Sequence, residues 1–198
     1  GQKEPVAFDK ITLRIRRLCE QEPPLPAEVD PTVICQKVVM GVYSGVKTTE
    51  LDNLAAETAA YMSTTHPGYG ELAARLAVSN LHKETSDVFS EVMEAEYRYI
   101  SEKSSLPAPL ISDETYELVQ KYKEKLNEMA DYRRDFNYDF FGFKTLERSY
   151  LVRLSGKIVE RPQHMLLRVS IGIHGDNMEM VQKTYDYLSQ GWFIHATP

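Results

Sequence analysis

Between Phe8 and Lys83 the start and stop signals of helices follow one another so closely that little besides a helical module fits. Asp30-Pro31 is a cap followed by proline at the first helical position, where a missing N–H is harmless and φ is already set. It opens a helix through Ile34, Val38 and Val42, which Tyr43-Ser44-Gly45 breaks. Thr48 then caps a third helix, with Leu51, Leu54, Thr58 and Tyr61 at helical spacing. After His66-Pro67-Gly68 a fourth helix runs from Tyr69 to about Thr85. Its Leu72, Ala73, Leu76, Ala77, Val78 and Leu81 cover more than one face, which predicts burial. Ahead of these, Asp9 caps a first helix bearing Ile11, Ile15 and Leu18 on one face, with Phe8 as its preceding staple residue. The segment from Glu22 to Pro26 (EPPLP) cannot continue that helix and makes a stiff connector.

The second half reads as helical too, with one exception. Ser86 to Glu102 is a helix with Phe89, Val92, Met93, Tyr97 and Ile100 inward, and Ser104 to Ser112 has the proline and serine content of a loop. A helix from Asp113 to about Ala130 carries Tyr116, Val119, Leu126 and Met129. Phe136, Tyr138, Phe140, Phe141 and Phe143 crowd together and read as a packing segment. A strand-like run from Tyr150 to Leu154 meets a Ser-Gly-Lys turn, the mark of one short β-hairpin, and Arg161-Pro162 opens the next helix. Asp176 to Glu179 is a capping-box pattern for a last helix with Val181, Tyr185 and Leu188 inward and Gly191 as its stop. The fold class is mainly α.

Composition excludes several classes of function. With 198 residues, 42% hydrophobic and 26% charged, the chain is ordinary globular material. No run approaches the roughly 20 apolar residues that cross a bilayer, and the beginning lacks the pattern of a signal peptide. A net charge of -6 argues against a general nucleic-acid binder, which needs a basic face, but leaves room for a small anion on a local cluster of donors. Cys19 and Cys35 stand apart with no CxxC, which points to a reducing, cytoplasmic compartment. His164 and His174 have no carboxylates spaced for a metal around them and read as structural. No Ser-His-Asp order, Walker motif or paired-carboxylate site stands out, so neither a catalytic nor a metal-ligating set is expected.

A nucleotide site can be built from the first module. Thr48 lies at a predicted helix N-terminus, where unpaired N–H groups and the dipole attract anions. Asp52 follows one turn along, placed to accept hydrogen bonds from ribose hydroxyls or a purine amino group. Lys10 opens the first helix, Lys83 closes the fourth, and Glu4 precedes an extended run, Pro5 to Ala7, whose backbone can line a base. On spacing alone the plainer readings are favoured: Thr48 as only a helix cap, Asp52 as a solvated side chain and the lysines as surface charges.

A resemblance to a known family weighs against those bland readings. FDKI at Phe8 to Ile11, YSGVKTTELD at Tyr43 to Asp52 and LAARLAVSNLHK at Leu72 to Lys83 resemble the ATP cone, a four-helix nucleotide-sensing domain with a β-hairpin cap. FGFKTLERSYL, ERPQHML and the closing WFIHATP resemble the large subunit of class I ribonucleotide reductase, eukaryotic type. The resemblance implies an ATP cone at residues 1–85, connecting helices at 86–133 and the start of the reductase all-α domain at 134–198. It implies that ATP or dATP, with Mg2+, binds at Glu4, Pro5, Val6, Ala7, Phe8, Asp9, Lys10, Thr48, Asp52 and Lys83. Thr197 matches the hydroxyl of an HA-[ST]-P motif that helps hold the substrate diphosphate. The implied partners are the radical-generating small subunit and further large subunits, as dimers and effector-dependent higher oligomers. In the family a hairpin strand with a Lys-Arg pair precedes the position of Gly1, and the first active-site cysteine lies beyond Pro198. A piece truncated at its β-cap and without catalytic residues of its own is therefore expected.

Two readings from other classes compete. A transcriptional regulator built on an ATP cone carries a cysteine-rich zinc ribbon, which this chain lacks. A helical interaction module with a vestigial cone is separated from a working cone by nucleotide titration.

Overall fold

The structure, a computed structural model, describes residues 7–195, which form two units. One comprises the chain up to Leu81 together with Tyr138–Thr145; the other comprises His82–Asn137 and the chain from Leu146.

The first unit is built on α1 (Phe8–Glu20), α2 (Pro31–Met40), α3 (Thr48–Met62) and α4 (Gly68–Glu84), the unit boundary falling in the last turn of α4. The Asp30 cap forms as expected, its carboxylate accepting from Thr32 N at 2.8 Å. Two caps shift by one residue or more. Ala7, not Asp9, precedes α1 and gives it no side-chain cap, while Phe8 becomes the first helical residue and stays 52% exposed rather than stapling. Lys47 caps α3, because Glu50 reaches back to accept from the Lys47 N–H at 3.2 Å and from Tyr43 Oη at 2.8 Å. Thr48 is thereby the first helical residue.

α4 is buried almost all round, from Leu72 to Val78 without a break, as its composition predicts. α3 is different. Its buried stripe is Asp52, Ala55, Ala56 and Ala59, whereas Tyr61 is 77% exposed. α2 and α3 pack on each other, with Leu54 against the end of α2. A Cβ added at Gly41, just past α2, would come within 2.6 Å of Leu54 Cδ2. Gly45, in the loop between them, has φ +88°, which a side chain rarely adopts. Both cysteines are free. Cys35 is buried on α2 with Sγ 2.8 Å from Thr12 Oγ1, and burial pushes the half-buried Cys19 thiol up to about 11.

The second unit holds α5 (Phe89–Tyr97), α6 (Asp113–Lys121), α7 (Lys123–Met129), a 3-10 turn (Tyr132–Asn137), the end of α8 (Phe140–Ser149), the hairpin β1 (Arg153–Leu154) with β2 (Lys157–Ile158), α9 (Pro162–His174) and α10 (Met178–Ser189). Two expected helices are shorter than predicted. The first starts only at Phe89, where the Ser86 hydroxyl instead accepts from Val88 N, and it stops at Tyr97, leaving Ile100 58% exposed. The second is two helices, because Tyr122 takes φ -113° and ψ 23° and breaks the run. Antiparallel β1 and β2 pair Arg153 with Ile158 and Leu154 with Lys157, across a turn whose Ser155 and Gly156 both have positive φ. The apolar core joins Phe89, Val92, Met93, Val119, Leu126, Leu167, Ile171, Val181, Tyr185 and Leu188. The aromatic segment splits: Phe143 is fully buried in the first unit, Phe141 is 74% exposed.

Polar groups are threaded through this core. The Asp135 carboxylate meets His82 Nε2 at 2.7 Å and accepts from Gln163 Nε2 at 3.0 Å, and Gln163 Oε1 accepts from Tyr185 Oη at 2.8 Å. His164 Nδ1 accepts from the Arg161 N–H at 3.0 Å, so its Nε2 carries the proton and donates to Tyr132 Oη at 2.8 Å. Burial, then the Arg161 charge, lowers the His164 pKa to about 3, consistent with a neutral structural ring. Glu160 is held in a fork by Arg168 at 2.7 and 3.0 Å, while fully buried Glu96 lies 3.9 Å from the same arginine. Burial, then the Glu160 charge, pushes Glu96 up to about 8.

A carboxyl whose folded pKa lies above its unfolded one contributes stability below the unfolded value and loses it as pH rises through the folded value. Chemical denaturation of Glu96→Gln across a pH series is expected to match the wild type near pH 5 and exceed it above pH 8, since the amide never ionises. Parallel curves would show that Glu96 is ionised throughout.

Candidate functional site

Lys10, Arg14 and Arg17 fall at helical spacing on α1 and, with Leu13 and Leu18, line an open cleft of about 280 Å³. Three cations along one helix face over an apolar floor suit an anion attached to a flat or apolar body. One of them also reaches inward. Arg14 donates through Nε to Asp52 Oδ1 at 2.6 Å and through Nη2 to Asp52 Oδ2 at 3.0 Å, the planar fork that a carboxylate matches. The same Nη2 donates to Ser79 Oγ at 3.2 Å. Asp52 is only 5% exposed and sits in the alanine stripe of α3, so its charge needs this partner.

The position of α1 is set by a second arginine. Arg75, 7% exposed on α4, donates through Nη1 to Leu18 O at 2.9 Å and Gln21 O at 2.8 Å, and through Nη2 to Pro23 O. These are carbonyls at and just beyond the end of α1, which have no partner inside the helix. Leu25 N supplies one more, to Cys19 O at 2.8 Å. The first turn of α3 is tied in likewise: Asn80 Nδ2 donates to Thr49 O at 3.3 Å and Asn53 Oδ1 at 3.1 Å. Asn80 Oδ1 is buried and has no hydrogen-bond partner among the described residues.

Of the residues expected at the site, Glu4, Pro5, Val6 and Thr197 lie outside the described residues. Ala7 precedes α1; Phe8, Asp9 and Lys10 form its exposed first turn, with Lys10 in the cleft. Thr48 is exposed at the start of α3, and Asp52 is buried one turn on. Lys83 is exposed in the last turn of α4 and belongs to the second unit. The structure thus joins Lys10 to Arg14 through the cleft and Arg14 to Asp52 through the fork. Sequence reasoning missed Arg14, Arg17 and Arg75. For Arg14 and Arg17 the signal was available: they continue the Lys10 face at i+4 and i+7. No group of three or more His, Cys, Asp or Glu among the described residues is arranged to hold a metal ion. No helix there is long and apolar enough to cross a membrane.

Residues 1–84 match the model of the ATP cone domain, and residues 136–198 that of the ribonucleotide reductase all-alpha domain. The chain is 65% identical, over its whole length, to a ribonucleoside-diphosphate reductase large subunit of Dictyostelium discoideum and covers 23% of that protein. It is 57% identical to a large chain of Schizosaccharomyces pombe and 57% identical to a large subunit of Danio rerio, covering 24% and 25% of them. It therefore spans about a quarter of the length of the curated relatives it matches.

Replacing Arg75 by Met removes the guanidinium donor from three carbonyls, one buried and two part-buried. The expected loss is on the order of 3 kcal/mol, read as a lowered urea midpoint by circular dichroism. An unchanged midpoint would mean that water replaces the guanidinium at no cost.

Proposed function

The chain belongs to the family of ribonucleotide reductase large subunits, and on that premise we propose that its first unit is an allosteric site for ATP and dATP. The carrying observation is Asp52, a buried carboxylate reached by Arg14, a residue that also lines a cleft of three cations. Lys10, Arg14 and Arg17 suit the triphosphate, whose Mg2+ is held by phosphate oxygens and water, while Asp52 suits a hydroxyl or amino donor of the nucleoside. Glu4 to Lys10, Thr48, Asp52 and Lys83 are the proposed contact set. ATP and dATP differ by one 2′-hydroxyl, so a site that separates them has a single hydrogen-bonding group to work with.

In this reading residues 1–85 are the cone, 86–133 connect it, and 134–198 begin the all-α domain leading to the catalytic part. The whole protein reduces ribonucleoside diphosphates to deoxyribonucleotides for DNA synthesis, in the cytoplasm, with a small subunit supplying the radical. Thr197 helps hold the substrate diphosphate. ATP in the cone activates and dATP inhibits, by biasing how large subunits assemble. Cys19 and Cys35 take no part in the chemistry; one is buried and the other carries a thiol that stays protonated at neutral pH.

Asp52→Asn in a full-length large subunit carrying this sequence is expected to blunt inhibition by dATP and leave basal turnover nearly intact. Losing a charge-assisted hydrogen bond costs on the order of 1.5–3 kcal/mol, enough to erase a switch built on a modest difference in affinity. Reductase assays across a dATP series decide it. Undiminished inhibition removes Asp52 from the site.

A further inference from the structure

We propose that Arg14 is a positioning and specificity-determining residue for the nucleotide, making the sugar reading at Asp52 depend on the cation cleft. The inference rests on the reading of the first unit as a nucleotide site and goes beyond it by assigning a role to a residue outside the expected contact set.

Two edges of one guanidinium carry the argument. Nε and Nη2 form the edge spent on Asp52, at 2.6 and 3.0 Å, with Ser79 Oγ sharing Nη2 at 3.2 Å. Nη1 makes no hydrogen bond among the described residues, and the Arg14 side chain is 28% exposed where it lines the cleft with Lys10 and Arg17. A planar fork is rigid, so whatever engages its free edge also sets the angle of the carboxylate held by the other. Asp52 is the one carboxylate among the buried polar residues described in the first unit, and its side chain is 7% exposed. It can turn little without Arg14 turning too. A phosphate oxygen on Nη1 and a ribose hydroxyl on Asp52 would then be read by one connected group. Arg17 lines the same cleft without a bond to Asp52 and supplies charge alone.

This separates two effects that a general loss of charge would merge. In Arg14→Lys the cation stays but cannot form the fork; in Arg14→Gln both go; in Arg17→Gln only cleft charge is lost. Calorimetric titration of the chain with ATP, dATP and inorganic tripolyphosphate reads the sugar and the phosphates separately. Arg14→Lys is expected to hold tripolyphosphate much as the wild type does, and both Arg14 variants to shift the ATP-to-dATP affinity ratio by about threefold or more. Arg17→Gln is expected to weaken all three ligands by a common factor and leave the ratio unmoved. A purely structural Arg14 would lower the melting temperature and weaken both nucleotides equally; a ratio within about threefold of the wild type overturns the proposal. Should Arg14→Gln fail to fold, Arg14→Lys alone carries the decision. A wild-type chain that binds tripolyphosphate but neither nucleotide overturns the nucleotide reading itself, and the role of Arg14 with it.

Discussion

A helix ends in carbonyls that no residue of the helix can reach, and in a small unit those ends are close to the core. Each unit here meets that constraint with a buried arginine. Arg75 gathers Leu18 O in the last turn of α1 and Gln21 O and Pro23 O just beyond it. In the second unit Arg161, 7% exposed, donates to His82 O at 3.1 Å and Thr85 O at 2.8 Å, and to Thr85 Oγ1 at 3.0 Å, with its Cζ 4.8 Å from the centre of the Tyr132 ring. A guanidinium suits the task because its donors lie in one plane and point apart, so one side chain serves several oxygens of an irregular segment. The positive charge also complements the negative end of the helix dipole. The position of α1, and so of its cation face, depends on the first of these contacts.

Once α1 is fixed, the rest of the candidate site follows from sizes. The alanines at 55, 56 and 59 leave α3 no bulk on its inner face, and Asp52 shares that stripe. A carboxylate in such a place must be paired, and Arg14 pairs it from the neighbouring helix while keeping one edge in solvent. Charge that would be a cost in the interior becomes a connection between interior and surface.

Much of the fold was legible, for reasons particular to each element. Asp30-Pro31 announced α2 because its cap is local, closed within two residues. α4 announced itself by composition, since a helix apolar all round has nowhere to go but inside. The failures were also physical. Tyr122 breaks a helix whose apolar periodicity runs straight through it, because φ and ψ at one residue leave no trace in periodicity. The inner face of α3 was hidden because alanine is a weak signal and Asp52 a contrary one, while Tyr61 looks like core and lies outside. At the site, the residue types of Lys10 and Asp52 suggested an anion and a hydroxyl partner. The fork between Arg14 and Asp52 spans 38 residues and three helices' worth of chain, and no local pattern encodes it.

The state of the two thiols has a practical side. Alkylating and spin-labelling reagents attack thiolates. Near neutral pH Cys19 offers almost none, and Cys35 is buried beside Thr12. Within a longer subunit this segment is therefore a quiet background for cysteine-directed probes. Labels placed elsewhere report on their own surroundings, and a cysteine introduced on the exposed face of α1 or α3 becomes an addressable position without first removing the native pair.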